Sequence, residues 1–389
     1  MNKVSIEKMK YLISCYIAKL IYFVSRILKI GSGFTAPGHY ILKVFPDILN
    51  SKQIKFKDGV VLVSGTNGKT TTTKLITHLL ENSFNVITNA SGSNLLRGIV
   101  SSVLLATDWM GNLKGSLGVF EVDELHLLKA LHFFKPKVIV LTNLSRDQLD
   151  RYWEIENIFD KWYTALKEIT YSCKILCDIS QPEFKKLTQL TNVSVEFFTS
   201  SDEYLCRTKL KGTYNCKNVN AGVAVAKYFG ISEDILDSKL QNFNYAYGRG
   251  EVLNKFNKEF KIMLTKNPAS YNHNLQALEN DGNFDAAVLI LNDNIPDGRD
   301  VSWIYDIDTK LFNSVFSGKN IYICGTRYLE MALRCRYAYV NFDEKNIGKS
   351  LSSIINKVSQ NNNNKNVLVL PNYSAMLEVR KLLKGSKIL

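Results

Sequence analysis

Short apolar runs alternate with helix-period segments along most of this chain. Val60–Val63, Asn85–Thr88, Ser116–Val122, Val138–Thr142, Cys173–Cys177 and Val193–Phe198 predict strands. Thr70–Glu81, Leu125–Phe133 and Ile155–Ile169 predict helices between them. Repeated βα units of this kind build a mostly parallel sheet with ligands at the carboxyl ends of its strands. A second, smaller unit starts near Tyr247. It has predicted strands at Lys261–Leu264, Ala286–Leu291, Asn320–Cys324 and Val367–Leu370, and predicted helices at Asn272–Leu278, Tyr328–Arg334 and Ala375–Leu383. Asn361 to Asn364 reads as a surface loop before the last strand, and Gly31-Ser32-Gly33 with Pro37-Gly38 as a loop near the start.

The first residues carry their own pattern. Val4, Ile6, Met9, Leu12, Ile13, Ile17, Leu20, Ile21, Val24, Ile27 and Leu28 recur at helical spacing, punctuated by Lys3, Lys8, Lys10, Lys19, Arg26 and Lys29. Lys19 and Arg26 break the run well short of the ~20 residues that span a bilayer. No small-residue cleavage site follows, so the pattern is not that of a signal peptide. Such a helix packs on the body of the protein or lies on a membrane surface.

Composition narrows the picture. A chain of 389 residues, 46% hydrophobic with 7 Pro and 22 Gly, has enough apolar surface for two or three ordinary domains and is not a disordered protein. Its formal charge of +13 suits nucleic acid, an anionic membrane or an acidic substrate, or is a plain lysine bias. No nucleic-acid-binding motif accompanies that charge, which argues against a nucleic-acid partner. Seven scattered cysteines without a secretory pattern indicate reduced thiols and a cytoplasmic setting.

The chemistry is most legible in Val60 to Thr73, VVLVSGTNGKTTTT. A strand, a glycine turn and a helix start form an anion trap in which backbone N–H groups and the helix dipole favour phosphate. Gly65, Thr66, Asn67, Gly68, Lys69, Thr70 and Thr71 form the expected cradle for ATP. Lys69 reaches the outer phosphates and Thr70 offers its hydroxyl to Mg²⁺. Gly65 stands only three residues before Gly68, closer than in the common form of this loop. Glu121-Val122-Asp123-Glu124 follows another apolar strand, and Glu121 is the candidate second ligand for Mg²⁺. Thr142-Asn143-Leu144-Ser145-Arg146-Asp147-Gln148-Leu149-Asp150-Arg151-Tyr152 follows the next. A lone Asp147 or Asp150 would ordinarily be a helix cap or a solvated charge; three signatures in register behind one phosphate loop are harder to ascribe to chance.

This constellation resembles the Mur ligase superfamily, whose phosphate loop reads GTNGKT and which carries an N-x-x-x-D-H-L-D segment. Gln148 stands here where the amino-acid-adding members have histidine. The segments from Ser91 to Gly98, Phe120 to Glu124, Leu141 to Leu144, Gly212 to Asn215, Tyr247 to Glu251 and Lys266 to Ala269 resemble the MurT family, the Mur-ligase-like subunit of lipid II isoglutaminyl synthase. So do Asp297 to Ile304 and Leu370 to Leu377. The resemblance spans nearly the whole chain, and the DGRDVSW segment is its most specific part.

The fold it implies is α/β: a Mur-ligase-like phosphate-loop central domain with a parallel sheet over residues 51–245, and a smaller Rossmann-like α/β domain over 246–389, behind an N-terminal helix and lead-in over 1–50. MurT proteins often carry a four-cysteine zinc ribbon. Cys173, Cys177, Cys206 and Cys216 occupy its neighbourhood without a C-x-x-C pair, so the ribbon is expected to be deleted and zinc is not expected.

The activity the resemblance implies is ATP-dependent amidation of the D-glutamate α-carboxylate of the lipid II stem peptide through an acyl phosphate. The ammonia would come from a glutaminase subunit of the GatD type. On the same ground Asn143, Arg249 and Asn267 are expected to hold the nucleotide. Asp300, with Asp297 as second choice, would complete the glutaminase triad. From residues alone Asp297-Gly298 reads as a turn and Asp300 as a helix cap. An amino-acid-adding Mur or folylpolyglutamate-type ligase, or a non-catalytic nucleotide-binding scaffold for a glutaminase, are the competing readings. Lipid II would place the protein at the inner face of the membrane, in peripheral contact with it.

Overall fold

A computed structural model describes residues 3–28, 34–89, 93–145, 155–210, 213–243 and 248–385. Their contacts divide them into two compact units. The first holds the residues up to Leu144, then Glu156–Lys209 and Asn215–Phe243; the second is built mainly from the residues after Phe243.

The first unit is a six-stranded parallel sheet in the order β2-β3-β1-β4-β5-β6. Its strands are β1 (Gly59–Ser64), β2 (Val86–Thr88), β3 (Leu117–Glu121), β4 (Val138–Leu141), β5 (Lys174–Asp178) and β6 (Ser194–Phe198). Val60–Val63 and Val138–Leu141 are buried throughout, as expected of strands covered on both faces. The helices are α1 (Lys3–Ile27), α2 (Ala36–Val44), α3 (Lys69–Leu80), α4 (Leu96–Leu105), α5 (His126–Phe133), α6 (Ile155–Lys167), α7 (Thr213–Tyr228) and α8 (Glu233–Asn242). Each predicted strand and helix of this region has its counterpart within a residue or two.

One expectation fails here. Pro37-Gly38, read as part of a loop, opens α2. Proline is at home in a first helical turn, where its missing N–H is not needed. Gly38 lies against α4: its N–H donates to Ser101 Oγ at 2.8 Å, and a Cβ there would stand 1.9 Å from the Arg97 carbonyl oxygen. The glycine is a close-approach residue between helices, not a breaker.

The second unit has a six-stranded sheet in the order β11-β10-β9-β12-β8-β7, parallel except for the β7–β8 hairpin at its edge. The strands are β7 (Arg249–Lys255), β8 (Lys258–Met263), β9 (Ala286–Ile290), β10 (Asn320–Cys324), β11 (Ile347–Gly348) and β12 (Asn366–Pro371). Helices α9 (Pro268–Asp281), α10 (Thr309–Phe316), α11 (Tyr328–Tyr337), α12 (Leu351–Gln360) and α13 (Tyr373–Lys384) cover its faces. Arg334, buried on α11, donates to the carbonyls of Ile304 and Ile307 at 2.8 and 2.7 Å and so fixes the segment that follows Asp300. The asparagine tract is more than a surface loop. Asn364 is buried, its side chain meets Tyr322 and Asn320, and its carbonyl accepts from Lys258 Nζ at 2.8 Å.

Candidate active site

Parallel pairing sets three strand ends side by side. Val63 of β1 registers with Glu121 of β3, and Ser64 with Leu141 of β4, so residues 65–70, 122–124 and 142–143 leave the sheet together. The phosphate loop is the first of these. Gly65 and Gly68 adopt φ of 129° and 86°, where a Cβ is strained. A Cβ on Gly65 would stand 2.3 Å from Thr142 Oγ1 and 2.7 Å from the Asn143 carbonyl oxygen. Gly68 then opens α3, and no side chain caps that helix. A helix start lacking a side-chain cap, entered through a tight glycine loop, is the geometry that receives a phosphate.

Asn143 is fastened to this loop. Its Oδ1 accepts from the Asn67 N–H at 3.0 Å and its Nδ2 donates to the Asn67 carbonyl at 2.9 Å. Its own carbonyl accepts from the Thr66 N–H at 2.7 Å, and Thr142 Oγ1 donates to the Asn67 carbonyl at 2.7 Å. Asn143 therefore braces the cradle, a role that its strand-end position alone did not reveal.

Lys69 is buried and turned inward. Its Nζ donates to the carbonyls of Gly65 and Thr66 and lies 3.2 Å from Glu124 Oε2, which is also buried. Glu124 is held in turn by its backbone, whose carbonyl accepts from Trp162 Nε1 at 2.9 Å. Glu121 is buried and its backbone is clamped by Asn89, which accepts from the Glu121 N–H and donates to its carbonyl. Asp123 faces His126 Nδ1 at 3.2 Å. Three buried carboxylates thus lie at this strand end, Glu121 as the last residue of β3 and Asp123 and Glu124 just after it. Carboxylate oxygens of this kind suit a hard divalent cation beside phosphate, but among the described residues no three such side chains are grouped closely enough to hold one by themselves.

Sequence reasoning missed Glu124 as the partner of Lys69, and Asn218, whose Oδ1 accepts from Thr72 Oγ1 at 3.3 Å and crowds Gly68. A carboxylate three residues past a strand end is a weak signal. Asn218 lies on a helix remote in sequence.

The remaining candidates belong to the second unit. Asn267 caps α9: it accepts from the Ser270 N–H at 2.8 Å while Ser270 Oγ accepts from the Asn267 N–H at 3.1 Å. Arg249 begins β7 at a bulge. Its neighbour Glu251 is tied to buried Arg380 through bonds of 2.7 and 3.0 Å. Asp300 is exposed, and its Oδ1 accepts from the Ser302 N–H at 2.8 Å. Asp297 is buried, and its carboxylate accepts from the N–H and Oγ of Ser374. Burial pushes its carboxyl above the usual range against the pull of these bonds. Asp147, Gln148 and Asp150 lie outside the described residues.

Residues 63–169 match the Mur ligase middle domain, and residues 264–376 match the MurT ligase C-terminal domain. The MurT subunit of lipid II isoglutaminyl synthase (glutamine-hydrolyzing) from Streptococcus pneumoniae is 26% identical over 92% of this chain and 94% of its own length. That of Staphylococcus aureus strain COL is 27% identical over 95% and 97%. The chain belongs to the MurT family.

Solved structures agree on the fold of this MurT-family chain. The MurF ligase of Thermotoga maritima, crystallised with ADP, superposes with a TM-score of 0.65 at 16% identity, over 88% of this chain and 82% of that one. Folylpolyglutamate synthase of Mycobacterium tuberculosis, complexed with ADP and AMPPCP, gives 0.63 at 15%, over 90% and 95%. The chain therefore has the fold of the nucleotide-binding ligases.

The neighbourhood of the zinc ribbon can also be placed. Cys173 and Cys177 are buried at and on β5, Cys216 is buried on α7, and Cys206 is exposed. Among the described residues no helix is long and apolar enough to cross a membrane.

Proposed function

We propose that this chain is the synthetase subunit of a glutamine-dependent amidotransferase. It would convert the D-glutamate α-carboxylate of the lipid II stem peptide to D-isoglutamine at the expense of ATP. The observation that carries this reading is the phosphate loop with Lys69 paired to Glu124, beside the buried segment from Glu121 to Glu124 at the adjoining strand end, in a chain that runs alongside MurT subunits over almost its full length.

A carboxylate is a poor electrophile because resonance and negative charge repel a nucleophile. Phosphoryl transfer from ATP to a carboxylate oxygen releases ADP and leaves an acyl phosphate. Ammonia then attacks the carbonyl carbon, the C–O bond to phosphate breaks, and an amide remains. Such transfer depends on positioning and charge neutralisation more than on a protein nucleophile.

The backbone of 65–71 would cradle the phosphates, and Lys69 would leave Glu124 to neutralise their outer oxygens. Thr70 and Glu121 would hold Mg²⁺, which supplies further positive charge there. Asn143 would keep the cradle in shape, and Arg249 and Asn267 would also contact the nucleotide. Residues 51–245 are accordingly the nucleotide domain and 246–389 the domain that meets the glutaminase, where Asp300 would orient the partner's histidine. The 1–50 lead-in would serve contact with the inner face of the membrane that carries the substrate.

The experiment is a two-source assay on the purified complex. Lys69→Ala is expected to abolish ATP-dependent phosphate release with either glutamine or ammonium. Asp300→Asn is expected to lose only the glutamine-driven reaction. Failure of ammonium to restore product in the Asp300 variant would remove Asp300 from the triad.

A further inference from the structure

Helix α1 is apolar on two opposite faces. Tyr11, Ser14, Cys15, Ala18 and Ser25 are buried against the first unit. Helical spacing puts Ile13, Leu20, Phe23 and Ile27 on the other side, and these are exposed, Leu20 by 61% and Phe23 by 62%. Exposed basic residues flank that outer face: Lys8 and Arg26 along one edge and Lys10 along the other.

A second element extends it. Trp109 and Met110 are 72% and 76% exposed at the tip of the turn before β3. The turn is rigid: the Asp108 carboxylate accepts from the N–H groups of Met110 and Asn112, each at 2.8 Å, and from Asn112 Nδ2 at 3.0 Å. It is also fastened to α1. Tyr16 Oη donates to the Trp109 carbonyl at 2.6 Å, Lys19 Nζ to the Asp108 carbonyl at 2.8 Å and Tyr11 Oη to the Gly111 carbonyl at 2.9 Å. The Tyr16 and Trp109 rings stack 6.2 Å apart. Helix and turn form one apolar surface with basic edges, remote in sequence from the phosphate loop.

We infer that the outer face of α1 and the Trp109–Met110 turn together are a docking surface for an anionic lipid membrane. This rests on the proposed action on a lipid-linked substrate and names the surface that meets the bilayer. Burying exposed leucine, phenylalanine and tryptophan in the interfacial zone lowers free energy. The lysine and arginine edges meet anionic headgroups, and tryptophan favours that depth. A protein partner of ordinary composition would not select a basic rim around an aliphatic stripe, whereas an anionic bilayer matches both features at once.

Vesicle co-sedimentation of the full chain tests this, using phosphatidylcholine with and without phosphatidylglycerol. Partition is expected into the anionic vesicles, weakened by salt and nearly absent with phosphatidylcholine alone. Leu20→Ser/Phe23→Ser and Trp109→Ser/Met110→Ser are each expected to lower it by about tenfold or more. Both pairs are exposed, and far-ultraviolet dichroism checks that the fold survives. No partition by the parent chain, or partition that neither pair alters, would overturn the inference. So would self-association abolished by these substitutions without a change in lipid binding, which would assign the face to a second copy. Magnesium-nucleotide calorimetry on the same samples separates the two readings. Lipid binding without nucleotide uptake would sink the catalytic proposal and leave this one standing.

Discussion

Lys69 Nζ and Glu124 Oε2 lie 3.2 Å apart, both side chains buried, directly beneath the phosphate loop. A buried pair resists the loss of one member because the other is left charged and unsolvated. Glu124→Ala is expected to destabilise the nucleotide-free chain by about 3 kcal/mol in urea unfolding. Adding Lys69→Ala to it should recover part of that loss. A double variant whose cost equals the sum of the single ones would show that the two groups are not coupled.

Gly65 has no room for a side chain. With φ at 129° and Thr142 Oγ1 and the Asn143 backbone inside van der Waals distance of a would-be Cβ, Gly65→Ala has to displace the β4 strand end. It is expected to cost at least about 2 kcal/mol of stability and to eliminate ATP binding. Unaltered nucleotide affinity in this variant would mean that the loop is not the phosphate site.

Asn143→Ala removes two bonds to the loop backbone at Asn67 without touching its helix. The expected outcome is a folded chain whose affinity for ATP falls about tenfold, read by calorimetry. Asp at this position cannot donate to the Asn67 carbonyl and should do no better than Ala.

These residues also mark how far the sequence could be read. The strand ends and glycine turn were visible because buried parallel strands are short β-branched runs and a phosphate loop has a fixed grammar. Lys69 and Thr70 followed from that grammar. Asn143 was placed at the site, but its bonds to the loop backbone were not foreseen, since a polar residue at a strand end can face either a ligand or a loop. The β7–β8 hairpin was missed in part because Phe256 and Asn257, both at φ 55°, make its turn without the Asn-Gly signal. Gly38 misled for the opposite reason: its local meaning is a breaker, and only the partner helix explains it.

Seven cysteines give a direct check of the fold. Cys206 is exposed and the other six are buried, with burial pushing the thiols of Cys173, Cys177, Cys324 and Cys335 up to about 12. At about pH 8 a thiol reagent is expected to modify one cysteine per native chain quickly and all of them after unfolding. Fast labelling at Cys173 or Cys177, located by peptide mapping, would contradict their placement at β5.

Asp297 ties the DGRD segment to the start of α13 through Ser374. Its folded-state carboxyl titrates above the unfolded one because it is buried. Its contribution to stability is therefore fully present below the unfolded value and is lost as pH rises through the folded one. Asp297→Asn keeps the volume and one acceptor and has no such titration. The Tm difference, parent minus variant, is expected to decrease from about pH 4 to about pH 7. A difference that grows over this interval would mean that the carboxylate is stabilised as an anion.

The decisive test is the mass of the lipid-linked product made by the purified chain with the proposed glutaminase subunit, ATP, Mg²⁺ and glutamine. Exchange of the carboxyl hydroxyl for an amino group on the stem peptide, with ADP and phosphate formed in equal amounts, is the expected result. An acceptor that gains a whole amino-acid residue, or one left unchanged while glutamine is hydrolysed, would contradict it.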